Sequence, residues 1–200
     1  MPGGVSMSFK HEAPLDQARS AAVFTSLAAL AGAVTPLANV WLPEIAAPYP
    51  IWPAVLFATA LVAAGWWGGL RDVRFAVATL VSVQAGWQLA VGIAATSHPH
   101  LRDFLGLTSI GGHLPAGLLA GAVGGFATWL GSAVALAGMR RRSLALQVTG
   151  IGAVLGAFLW VSMAAGGPEW VRDLLLFVPW QAGVAAVLGA GIARAARIQG

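Results

Sequence analysis

The chain has no cysteine, and only 9% of its 200 residues are charged. The missing cysteines exclude disulfides, thiol catalysis, Cys-ligated zinc and iron–sulfur clusters. The shortage of charge excludes a good deal more. A soluble domain carries about 25% charged residues, so too few are present here to cover a water-facing surface. The 11 basic residues outnumber the 7 acidic ones, giving a net charge of +4. In a soluble protein that balance would suggest a nucleic-acid partner. None is expected here, because the basic residues stand at the ends of apolar runs and form no patch. Lysine is scarce while alanine, glycine and arginine are abundant, a composition that points to a bacterial source.

What the sequence holds instead is apolar length. Hydrophobic residues make up 58% of the chain and the mean hydropathy is +0.78. Six apolar stretches stand out, at 21–42, 53–70, 75–97, 114–138, 144–166 and 171–193. Each approaches the ~20 residues needed to cross a hydrocarbon core of about 30 Å as a helix. The expected fold is therefore all-α, a polytopic membrane protein with a bundle of six transmembrane helices and the lipid bilayer as its first partner. Residues 1–19 read as a flexible polar tail and 195–200 as a short one. The first stretch exceeds the 7–15 residues of a signal-peptide core, so it is read as a membrane helix. The sixth contains Pro179 and is expected to be one helix, kinked there and starting near Pro168.

Basic residues set the orientation. With the N-terminus inside, Lys10, Arg19, Arg71, Arg74, Arg140, Arg141, Arg142, Arg194 and Arg197 fall on the inner side, and Arg102 and Arg172 alone on the outer side. A bacterial inner-membrane protein with both termini cytoplasmic is expected. Trp66 and Trp67 near inner ends, and Trp41, Trp52 and Trp170 near outer ends, fit interfacial aromatic belts.

Residues 91–105 (VGIAATSHPHLRDFL) align without gaps with 161–175 (VSMAAGGPEWVRDLL), at a spacing of 70. Each places an Arg-Asp pair at the membrane edge. FATAL at 57–61 is echoed by FATWL at 126–130. The helices are thus expected to form three related helical hairpins. Small residues recur at packing distance: Gly117, Gly121 and Gly125 on the fourth stretch, Ala60, Ala64 and Gly68 on the second, Gly152 and Gly156 on the fifth. Such stripes let helix backbones approach closely in lipid. They serve either packing within the chain or a homo-oligomer or membrane-complex partner.

No Asp, Glu, Lys, Arg or His lies near the centre of any stretch. Buried ionisable residues mark proton relays and ion pathways in membranes, and haem needs an axial ligand, so neither chemistry is expected. No GxSxG elbow, phosphate loop or HExxH motif is present. The chain reads as a non-enzyme with no cofactor. Uncharged polar residues do occur inside: Asn39, Gln84, Gln88, Gln147 and Gln181. Gln84 and Gln88 share a helix face, with Trp87 beside them.

The outer loops carry Glu44, Tyr49, His98, His100, Arg102, Asp103, His113, Glu169, Arg172 and Asp173. His98, His100 and His113 could offer three imidazoles to a metal. Arg102 and Arg172 could hold a charged group, although helix capping or interfacial ion pairing is the more ordinary role. Six spans, inward termini and about this length resemble in topology the substrate-binding subunits of energy-coupling-factor vitamin transporters, and equally several small channel families. No motif carries that likeness.

The expected function is transport-related, with a cavity open to the outer face for a neutral or weakly polar solute. Its candidate lining is Asn39, Gln84, Trp87, Gln88, Trp180 and Gln181, with Arg102 and Arg172 at the rim. Two alternatives are a non-transporting subunit of a larger membrane complex and an outer-face metal handler.

Overall fold

The structure, a computed structural model, describes residues 17–42 and 49–199. The polar tail up to residue 16, Glu44 with its neighbours, and Gly200 lie outside the described residues. Those described are helical apart from short turns and irregular connections, with no strand among them. Seven α-helices follow in order: α1 Gln17–Trp41, α2 Trp52–Trp67, α3 Val73–Leu105, α4 His113–Ala135, α5 Arg142–Gly156, α6 Phe158–Ala165 and α7 Glu169–Gln199. Only Ala157 separates α5 from α6, so the two make one path, 24 residues long. With it, five helices among the described residues are long and apolar enough to cross a bilayer, the mark of a multi-pass membrane protein. The sixth apolar helix, α2, has 16 residues and is about 24 Å long.

Local chemistry sets these boundaries. Asp72 starts α3 by accepting a hydrogen bond from the Arg74 amide at 2.8 Å, the ordinary N-cap role of an aspartate. Gly106 ends it in the left-handed conformation, φ 63°, while the Leu107 amide reaches back to the Arg102 carbonyl at 2.9 Å. That is the Schellman closure, which glycine alone makes without Cβ strain. Between these caps α3 passes through Pro99. His98, His100, Arg102 and Asp103, expected on a loop, are therefore helical. At 33 residues α3 is about 50 Å long, and its last two turns project past the apolar span. The break after Gly156 is a local tightening, with the Ala157 and Trp160 amides bonding three residues back, at 3.2 and 3.0 Å.

The helices form a closed ring in the order α1, α2, α3, α4, α5–α6, α7 and back to α1. The most extensive pair is α1 with α7, followed by α3 with α4 and α4 with α5. The α1–α7 pair is antiparallel. Ser20 donates to the Gly189 carbonyl at 3.1 Å at one end, Gly32 faces the Phe177–Val178 backbone midway, and Asn39 meets Asp173 at the other. Both ends of the described chain thus lie at one end of the bundle, and residues 49–51 and the connections 106–112 and 166–168 lie at the other, called here the far end.

Close approach rests on glycine. A Cβ added at Gly117 would fall on the Gly156 carbonyl oxygen, and one at Gly121 on the Gly152 carbonyl oxygen; the reverse substitutions meet the reverse carbonyls. In lipid no water is released when apolar helices meet, so tight van der Waals contact of this kind carries the association. The Gly117–Gly121–Gly125 face is therefore occupied within the chain by α5. Large apolar side chains such as Val81, Leu89, Leu146 and Val154 point outward instead, each more than 60% exposed.

The related-hairpin expectation does not hold in detail. Residues 91–105 are one continuous helix, whereas 161–175 bend at Gly166 and Gly167, with φ of 64° and 82°, between α6 and α7. The matching sequences take different shapes because Gly166-Gly167-Pro168 stands where Ser97 follows Thr96 and precedes His98. The first helix also takes α7, not α2, as its main partner.

Candidate functional site

The ring encloses a cavity of about 230 Å³ between α2, α3, α4, α6 and α7. Its lining comes from the start of α2, the middle of α3, the first two-thirds of α4, the α5–α6 junction at Gly156 and Leu159, and the turns of α7 on either side of Pro179. It therefore runs from the middle of the bundle toward the far end.

Four aromatic rings shape it, in two pairs. Phe57 of α2 meets Trp180 of α7 edge to face, centroids 5.5 Å apart at 63°. Trp87 of α3 meets Phe177 of α7 at 5.5 Å and 56°. Such offset and tilted pairs add about 0.5–1.5 kcal/mol beyond area burial. Both indole N–H groups are used by the protein. Trp87 Nε1 donates to the Pro50 carbonyl at 2.6 Å, and Trp180 Nε1 to the Gly152 carbonyl at 3.1 Å. The rings are pinned and turn apolar surface to the cavity. Gly124 makes room for this: its absent side chain would lie 2.8 Å from Trp180 Cζ2.

The other lining polar groups are few. Thr128 donates to the Gly124 carbonyl of its own helix at 2.8 Å. Gln181 is 2% exposed; its Nε2 lies 3.4 Å from the Pro53 carbonyl, and its Oε1 has no partner. No ionisable side chain lines the cavity.

The expected site residues divide into two groups. Trp87, Trp180 and Gln181 converge on the cavity. Gln88 instead donates to the Tyr49 carbonyl at 3.1 Å, holding the 49–51 segment against α3. Asn39 donates to Asp173 Oδ2 at 3.3 Å, tying α1 to α7. Gln84 lies off the lining, with Oε1 buried and unpartnered. The two Arg-Asp pairs also part company. Arg102 bridges Asp103 at 2.7 Å on the projecting end of α3. Arg172 turns Nη1 toward Met163 sulfur at 3.9 Å, and Asp173 takes Asn39. The wall residues Phe57, Phe177 and Gly124 were not among the expected site residues.

His98 and His113 stack with centroids 4.1 Å apart, and His98 Nε2 lies 2.9 Å from the Ser109 carbonyl. They close the turn between α3 and α4. His100 does not join them: among the described residues no three His, Asp or Glu side chains gather as metal ligands would. Of the expected outer aromatic belt, Trp41 and Trp170 are exposed at 80% and 55%.

No protein-family model, curated protein or solved structure matches this chain.

Proposed function

We propose that the chain is a small transport-related protein of a bacterial inner membrane. In this reading it crosses the bilayer six times with both termini cytoplasmic, and captures or passes an uncharged solute through the cavity at the far end of the ring. The observation that carries the reading is the cavity, about 230 Å³ with no ionisable wall residue. A charge brought into such a lining loses its hydration without a partner, at several kcal/mol. A dry apolar cavity of about 150 Å³ can hold benzene, so this one suits a solute of roughly 8–12 non-hydrogen atoms by the same scale.

Topology supports six crossings. The ring closes only if α2, 16 residues long, returns the chain from the far end of α1 to the start of α3. Arg71, Arg74, Arg140, Arg141, Arg142 and Arg194 lie toward the end that holds both ends of the described chain, as the positive-inside rule expects of a cytoplasmic face. A subunit role resting on the glycine faces of α4 and α5 loses its main support, since each face fills the other.

The test uses purified protein in lipid nanodiscs and in proteoliposomes. Uncharged solutes of the stated size should raise the unfolding temperature, and size-matched charged analogues should not. No stabilisation by any uncharged member of a broad panel, together with no flux, would overturn the proposal.

A further inference from the structure

Helices α5 and α7 touch at two levels and part between them. Toward the end opposite the far end, Leu144 packs over Gly191, whose absent side chain would lie 2.7 Å from Leu144 Cδ2. Nearer the far end they meet again, where a Cβ added at Gly183 would fall on Leu155. The two contacts are separated by about 16 Å of helix. Between them lies an open groove of about 440 Å³, with Ile151 and Ala190 in its apolar lining. Two lining groups are polar, Gln147 and Arg194. Gln147 is exposed at membrane depth, and its amide makes no hydrogen bond among the described residues. An amide in hydrocarbon without a partner is costly, so Gln147 draws its partner from the surrounding lipid. Arg194 stands one turn beyond Ala190 on the same face of α7, nearer the membrane edge than Gln147. It is exposed, and no carboxylate among the described residues pairs with it. Its guanidinium presents a fork of donors that matches a phosphate.

We propose that the α5–α7 groove binds one anionic phospholipid, with an acyl chain laid between the helices, an ester oxygen on Gln147 and the phosphate on Arg194. The order of groups along the groove, apolar lining, then amide, then guanidinium, is the order of chain, ester and phosphate in a lipid entering from the leaflet at this end. Charge decides between headgroups. Arg141 and Arg142 are exposed at the same end of the bundle. Asp72, the one acid described there, caps α3. A choline or ethanolamine head would bring its ammonium among these cations with no carboxylate to meet it. A head with net negative charge is attracted by all of them, as basic pockets between membrane helices attract anionic lipids. The site needs the chain to lie in a bilayer, but it does not depend on the ring cavity holding a solute.

The test titrates the purified full chain in detergent with phosphatidylglycerol or phosphatidylcholine of identical chains and counts bound lipids by native mass spectrometry. The first phosphatidylglycerol should bind about tenfold tighter than phosphatidylcholine, the worth of a charge-assisted contact at the membrane surface. Arg194→Gln should bring the ratio close to one, and Arg194→Lys should keep most of it. Arg71→Gln removes an exposed arginine at the same end but away from the groove, and should leave the ratio unchanged. Ala190→Phe should weaken both lipids alike by filling the seat of the chain. Should the Arg194 variants fail to fold, glycerol 3-phosphate decides on the wild type: lacking chains, it should not displace phosphatidylglycerol even in large excess. Equal binding of the two lipids would overturn the proposal. So would an Arg71→Gln loss as large as that of Arg194→Gln, which would assign the preference to the whole face, or displacement by glycerol 3-phosphate, which would leave the groove no part in binding.

Discussion

Replacing Ala90 with leucine separates a working cavity from ordinary core. Ala90 is a buried residue of α3 that lines the cavity. Leucine adds three carbons, enough to take up about a third of the 230 Å³. Unfilled apolar space costs about 24 cal/mol per Å³, so filling roughly 75 Å³ of it should stabilise the unliganded protein by about 2 kcal/mol. In a well-packed interior the same change would cost about 1–3 kcal/mol through strain, so the sign alone is informative. For a chain of this length about 2 kcal/mol corresponds to a rise of roughly 4–8 °C in unfolding temperature. The assay is thermal unfolding followed by tryptophan fluorescence in nanodiscs washed free of small molecules. A second run with a saturating uncharged aromatic should stabilise the wild type and leave Ala90→Leu where it was, because leucine and ligand compete for one space. A fall in unfolding temperature for Ala90→Leu would refute the cavity. A ligand response undiminished in the variant would place the binding elsewhere.

Three further outcomes follow from the geometry. Gly121→Ala should cost about 1–3 kcal/mol, because its Cβ meets the Gly152 backbone carbonyl, which cannot turn aside. Gly150→Ala on the same helix has open space around it and should be neutral or stabilise by about 0.5–1 kcal/mol; unfolding of the two variants side by side checks both. Asn39→Leu removes the donor to the half-buried Asp173 and should cost about 1–3 kcal/mol, most of it recovered when Asp173→Leu is added, since loss of both partners leaves no orphan. Arg140→Ala frees the Ala133 and Val134 carbonyls that Arg140 Nε and Nη2 cap at 2.9 and 3.2 Å. It should cost about 0.5–1.5 kcal/mol and raise hydrogen exchange at 134–140 while leaving α1 and α7 protected.

Hydropathy read the membrane-facing character well and the helix ends less well, for one physical reason. It reports where a segment leaves hydrocarbon, whereas a helix stops where its backbone is capped. The apolar run of α3 fades at Ser97, yet the helix continues to Leu105, because Pro99 removes a single backbone bond and a true stop waits for Gly106. In α2 the reverse applies: the apolar run continues to Leu70, but Gly69 at φ 85° turns the chain soon after Trp67. Pro179 lies inside one helix that begins at Glu169. The glycine stripes were legible as close-packing faces, but their partner was not, since Gly152 and Gly156 become the complement of Gly121 and Gly117 only once α4 and α5 run antiparallel.

The cavity lining was legible in part. Trp87, Trp180 and Gln181 stood out as polar or amphipathic groups at membrane depth, and all three reach the cavity. Gln88 and Asn39 stood out for the same reason and serve structural bonds instead. Residue type does not separate these roles, because an amide in lipid needs a partner either way; what separates them is which neighbour the ring supplies. Phe57 and Phe177 escaped notice because an apolar ring inside an apolar run carries no contrast. Their one sequence signal is depth: each lies within a turn or two of a tryptophan or proline at the same level of the bundle.

The claim that an uncharged solute enters the ring is tested most directly by photolabelling. A small neutral aromatic diazirine is irradiated with the protein in nanodiscs, and the adducts are mapped by peptide mass spectrometry. Labelling should concentrate on α2, α3 and α7 at Phe57, Trp87, Phe177 and Trp180, and excess p-cresol should suppress it. Adducts spread over lipid-facing residues such as Val81, Leu89 and Val154, unchanged by competitor, would contradict it.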